Sequence, residues 1–204
     1  MPRLSLIPIF LGEVVGARTL PREPEPDLVM DGEEQVAAYA EAGRIDGVMA
    51  AAYLFHSARI SQVIQGCGVV ADLGCGPATQ LAQVASLNPA TRFVGFDLSE
   101  PMLDNARAHV RACGLSNVEF RCANITTLDG VPASSFDAVI STMALHHLPR
   151  LDDLRACFRQ INRILKPGGA LYLTDFGRLK SLRSVIYFAY MNRAKQPHLF
   201  SLDY

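Results

Sequence analysis

The chain has 204 residues, half of them hydrophobic and 19% charged, with a formal net charge of -1. That balance suits one soluble domain with an appendage and excludes a wholly disordered chain or a strongly basic nucleic-acid binder. Five cysteines, Cys67, Cys75, Cys113, Cys122 and Cys157, show neither a C-x-x-C pair nor zinc-ligand spacing, which implies reduced thiols, a cytoplasmic setting and no metal site.

No apolar run is long enough to span a bilayer, and Pro8 interrupts the apolar opening from Leu4 to Leu11, which argues against a secretion signal. Residues 1–30 read as an arm and linker, stiffened by the charged proline run Pro21 to Pro26. Asp31 and Glu34 have capping-box spacing, so a helix is expected from about Gly32 to Gly43. A second helix is expected from about Asp46 to Gln65, with Met49, Ala52, Tyr53, Ile60 and Ile64 inward. Together, residues 31–65 form a helical cap.

From residue 66 onward, strands alternate with helices, the pattern of a parallel sheet covered on both faces. Val69 begins a short apolar run that meets the turn Gly74-Cys75-Gly76. A helix with Leu81, Val84 and Ala85 on one face follows and stops at Asn88-Pro89. Arg92 to Asp97 is the second strand. Ser99 is placed to cap a helix carrying Pro101 in its first turn and Leu103, Ala106 and Val110 on its inner face. Val118 to Cys122 and Phe136 to Ser141 are the third and fourth strands. Leu151, Leu154, Phe158, Ile161 and Leu165 share a helical stripe, which Pro167-Gly168-Gly169 should stop before a fifth strand, Ala170 to Asp175. A basic, aromatic helix is expected from about Leu179 to Arg193.

A glycine turn after a buried strand brings backbone close to a ligand without an intervening Cβ. Asp97, at the carboxyl end of the next strand, is placed to accept hydrogen bonds from a ribose diol. A helix-capping or turn aspartate is the alternative. A dinucleotide fingerprint would need a sixth-position glycine, and from Gly74 that position is Thr79, which counts against a nicotinamide-dependent oxidoreductase.

Four motifs occur in order: ADLGCGPAT from Ala71, FVGFDLSEPML from Phe93, FDAVISTMALHHL from Phe136 and LKPGGALYLTDF from Leu165. Together they resemble the class I S-adenosylmethionine-dependent methyltransferases, in the branch that acts mostly on small molecules. The resemblance implies an α/β fold, a Rossmann-like doubly wound parallel sheet over residues 66–204, with the helical cap on its N-terminal side. It implies S-adenosylmethionine as cofactor and a small-molecule partner, with no nucleic acid. Asp72, Gly74, Cys75 and Gly76 would surround the methionine part, Asp97 would hold the ribose, and Leu98 and Met102 would pack on the adenine. Ala123 and Asn124 would lie near the adenine, with the Asn124 amide both accepting from its amino group and donating to a ring nitrogen. Ser141 and Thr142 would bring backbone near the cofactor's amino group and sulfur. His146 and His147 are the candidates for a general base or substrate contact, set against a purely structural role in the loop. Tyr39, Tyr53 and His56 on the cap are either packing residues or part of a substrate cover.

Two departures stand out. Ala78 occupies a position where the family commonly has a third glycine. The sheet would also lack the last two of the usual seven strands, which leaves the fifth strand as an edge. A longer parent chain, a homodimer covering the edge, or a shortened fold would each account for this. The alternative to an enzyme is a non-catalytic binding or scaffold protein that keeps the fold.

Overall fold

A computed structural model describes residues 6–17, 49–175 and 180–186. The chain divides into two compact units, Met1–Glu23 with Gly177–Tyr204, and Pro24–Phe176. In the first, Leu6–Val15 forms helix α1, where the sequence reading had only an arm. Residues 182–186 form one turn of helix within the expected span from Leu179 to Arg193. The expected helix at residues 32–43, Tyr39 and the proline connector lie outside the described residues.

The larger unit runs α2 (Ala50–Val63), β1 (Val69–Leu73), α3 (Thr79–Leu87), β2 (Arg92–Asp97), α4 (Glu100–Ala112), β3 (Val118–Cys122), β4 (Phe136–Thr142), α5 (Leu151–Ile164) and β5 (Leu165–Thr174). Its sheet has the order β3-β2-β1-β4-β5, and every pairing is parallel. The order reverses between β1 and β4, the place where open α/β sheets leave a crevice beyond the strand ends. β1 and β2 pair with Leu73 opposite Phe96, and β4 and β5 with Thr142 opposite Thr174. Among the described residues, β3 and β5 are the two edges.

Alternation along each strand feeds two cores. Val70, Phe93, Ala138 and Ile140 pack with Ile60, Leu81, Val84, Ala106 and Val110 of α2, α3 and α4. Ala71, Leu73, Val94, Phe96 and Val139 pack on the other face with Cys157, Ile161 and Ile164 of α5. Large side chains buried in this way, Phe93 and Phe96 among them, each stabilise the fold by about 1.5–3 kcal/mol. Of the residues expected inward on α2, Tyr53, Ile60 and Ile64 are buried, while Met49 and Ala52 are half-buried. The Ser99 hydroxyl accepts from the Met102 amide, so the expected cap on α4 is made.

Two details differ from expectation. On α5 the buried stripe is Cys157, Ile161 and Ile164, whereas Leu151 and Phe158 are exposed. Cys157, fully buried, packs with Ile161 and Ile164 in the core on that face of the sheet. The glycines after α5 also do not separate helix from strand: α5 ends at Ile164 and β5 begins at Leu165. Instead they make an irregular step inside the strand, because pairing jumps from Phe136 with Leu165 to Ala138 with Ala170. Gly168 takes φ +78°, and a Cβ on Gly169 would crowd the Asp137 carbonyl.

Candidate functional site

The turn after β1 is shaped by three left-handed residues, Gly74, Gly76 and Ala78, at φ +74°, +51° and +59°. The amides of Gly74 and Cys75 both donate to the Phe96 carbonyl, at 2.8 and 3.0 Å, which pins the turn to the end of β2. A Cβ on Gly74 would overlap the Ala144 methyl. This glycine therefore lets the loop after β4 come against the turn.

Asp97 joins the two strand ends. Its Oδ2 accepts from the Gly76 amide at 2.8 Å and its Oδ1 from the Ser99 amide at 3.0 Å. Burial raises its pKa, while the amides of Ser99, Gly76 and Leu98 and the nearby His147 act in the opposite direction. A carboxylate oxygen has room for a second donor, so the anchored group keeps acceptor capacity toward the cleft.

That cleft encloses about 730 Å³ of empty space, open mouth and adjoining solvent included. Gly74, Gly76, Asp97, Leu98, Met102, Ala123 and Asn124, all expected from the sequence, line it together with His147. Ser99, Ile125, Met143, Ala144 and Leu148 line it too and were not singled out. Their common signal is position, since each lies within two residues of one that was.

Four residues expected around the cofactor lie outside the lining. Asp72 is buried beneath the turn, on the face covered by α2, and its Oδ1 has no hydrogen-bond partner among the described residues. Burial, with the charge of Asp97 second, pushes its pKa from 3.8 up to about 7. Cys75 turns its sulfur under Gly95, where an added Cβ would crowd it, and burial holds its thiol well above the ordinary range. Ser141 donates its hydroxyl to the Leu73 carbonyl at 2.7 Å, back into the sheet. Thr142 ends β4 in register with Thr174.

The dual role expected of Asn124 needs correcting. Its Oδ1 accepts from both the amide and the hydroxyl of Thr126, at 2.9 and 2.8 Å. Both lone pairs are engaged, so the side chain offers the cleft a donor only.

The two histidines separate. Both lie in the single turn of 3-10 helix Leu145–His147, with ring centres 4.0 Å apart. His147 lines the cleft, whereas His146 lies outside the lining and turns toward Asp175. Asp175 Oδ2 accepts from the amides of Leu145 and His146, at 2.7 and 3.1 Å, while Oδ1 lies 2.6 Å from His146 Nδ1. A carboxylate at Nδ1 fixes the proton on that nitrogen and leaves Nε2 as the acceptor in the neutral ring. Sequence reasoning gave Asp175 no role, although it stands in the fourth motif.

A family profile described as a methyltransferase domain matches residues 70–169, from β1 through the glycine step in β5. This domain belongs to the class I S-adenosylmethionine-dependent methyltransferases. The chain is 34% identical over 122 residues to 24-methylenesterol C-methyltransferase 2 of Oryza sativa subsp. japonica, covering 58% of this chain and 32% of that protein. It is 32% identical over 109 residues to a ubiquinone biosynthesis O-methyltransferase of Idiomarina loihiensis, covering 53% and 42%. The chain thus spans less than half the length of these relatives. A solved protein of Pyrococcus horikoshii OT3 shares the fold at a TM-score of 0.61 and 23% identity, over 80% of this chain and 69% of that one.

Proposed function

We propose that this domain transfers a methyl group from S-adenosylmethionine to a small-molecule acceptor by in-line displacement. The observation that carries the reading is the Asp97 carboxylate, held by the amides of Gly76 and Ser99 with acceptor capacity left over the glycine turn. The cofactor fits the donor set. Asp97 would take the ribose hydroxyls, Leu98, Met102 and Ile125 supply apolar surface for the adenine, Ala123 leaves room beside it, and Asn124 donates to a ring nitrogen. The cradle of Gly74 and Gly76 suits the methionine part. Asp72, Cys75, Ser141 and Thr142 support that cradle from beneath and from the end of β4. Bound there, S-adenosylmethionine supplies an electrophilic methyl on a sulfonium.

For an acceptor that must lose a proton, the group that faces the cleft is His147, and Asp175 holds the turn that carries it through the amides of Leu145 and His146 and the His146 ring. His147 faces the cleft and contacts the acceptor. The names of the two relatives, one acting on a sterol carbon and one serving ubiquinone biosynthesis on oxygen, support a small, largely apolar acceptor.

The test is incubation of the full-length protein with methyl-labelled S-adenosylmethionine and a panel of apolar phenols, quinols and sterols. Label should enter the organic phase, and His147→Gln should slow this at least tenfold with a smaller change in cofactor affinity. Cofactor binding without label transfer across the panel would turn the reading toward a non-catalytic binding protein.

A further inference from the structure

Helix α1 is amphipathic in the reverse sense from a core helix. Ile7, Phe10, Leu11, Val14 and Val15 recur at three and four residues, and all five are 52% to 78% exposed. On the opposite side, Ile9 is buried and Glu13 half-buried. An apolar stripe at this spacing normally faces a core, so five large exposed side chains on one short helix indicate a binding surface.

The same unit repeats the pattern in residues 182–186. Leu182, Val185 and Ile186 are exposed while Ser184 is buried. The two segments are tied together: both Glu13 carboxylate oxygens accept from the Lys180 amide, and Lys180 Nζ reaches the carbonyls of Val14 and Gly16.

Charge selects the occupant. Among the described residues of this unit, Lys180 and Arg183 are the bases and Glu13 is the one acid, with its carboxylate turned onto the Lys180 backbone. An outward apolar stripe with Lys180 at the end of α1, an exposed Arg183 three residues on, and its acid turned onto backbone is complementary to an anionic bilayer surface. At ten residues, α1 is too short to span a bilayer.

We infer that α1 and residues 182–186 form a docking surface for the interface of an anionic membrane, in which Phe10, Leu11 and Val14 enter the acyl boundary and Arg183 meets the headgroups. Docking of this kind does not depend on methyl transfer.

The test is co-sedimentation of the full chain with vesicles of phosphatidylcholine, with and without phosphatidylglycerol, at low and high salt. Binding should require phosphatidylglycerol and weaken as salt rises. The double substitution Phe10→Asp, Val14→Asp should lower partitioning roughly tenfold or more, and Arg183→Glu should lower it several-fold, both with S-adenosylhomocysteine affinity and melting temperature unchanged. Should the double variant melt early, the Arg183→Glu result decides alone, because that exposed base carries no packing. No sedimentation with anionic vesicles, or equal sedimentation of wild type and Arg183→Glu, would overturn the inference. A concentration-dependent dimer that Phe10→Asp dissolves, without vesicle binding, would overturn it in favour of a second copy as the occupant.

Discussion

The two walls of the cleft are held in different ways. On the β1–β2 side, Gly74, Gly76 and Ala78 take left-handed conformations, and backbone amides fix both the turn and Asp97. On the β4 side, one carboxylate, Asp175, collects two amides and an imidazole to hold the turn Leu145–His147. The first wall depends on backbone conformations that few residues tolerate. The second depends on a single side chain, so it can loosen while the fold stays intact. Substitutions in the first wall should therefore cost stability, and those in the second mainly affinity and reactivity.

The largest effect is expected beneath the first wall. With its folded pKa raised from 3.8 to about 7, Asp72 favours the fold fully only below its unfolded pKa, and that contribution is lost as pH rises through 7. Ionising it inside the fold costs on the order of 4 kcal/mol. Wild type should therefore lose stability between about pH 4 and pH 8 relative to Asp72→Asn. Whatever their difference at pH 4, the variant's melting temperature should rise against wild type across that window. Parallel profiles would show that Asp72 ionises without penalty.

Gly74→Ala should cost about 2–4 kcal/mol in denaturant unfolding, from a left-handed alanine and its overlap with Ala144. A cost below about 1 kcal/mol would mean that the two walls are not in contact through this glycine.

Asp175→Ala should leave the unfolding midpoint nearly unchanged and weaken S-adenosylhomocysteine binding only about three- to fivefold, because the turn carries one side of the cleft. It should also shift the His146 ring signals in nitrogen-15 spectra away from the Nδ1-protonated tautomer. Unaltered His146 signals would remove Asp175 as its positioning residue.

The same contrast explains how much could be read beforehand. Strand ends, the glycine turn and Asp97 were legible because each is a local requirement: a Cβ-free left-handed residue, or an acid where a buried strand meets solvent. Ala78 shows the limit of that logic, since at φ +59° it occupies a conformation suited to glycine and is still accommodated. The Asp175 clamp could not be read. It exists only because β4 and β5 pair with Thr142 opposite Thr174, which brings residue 175 beside residue 145. The donor-only state of Asn124 was hidden for a similar reason, as it follows from the turn that Thr126 closes. On α5, periodicity revealed a helix but pointed to a stripe through Leu151 and Phe158, whereas the buried one runs through Cys157, Ile161 and Ile164.

The most direct measurement is a calorimetric titration of the full-length protein with S-adenosylhomocysteine, repeated with Asp97→Ala. Saturable one-to-one binding is predicted, weakened more than tenfold by the substitution, which corresponds to a loss of at least about 1.4 kcal/mol. Absence of binding by the wild type, or equal affinity in the two proteins, would contradict the assignment of Asp97 and the glycine turn as the cofactor site.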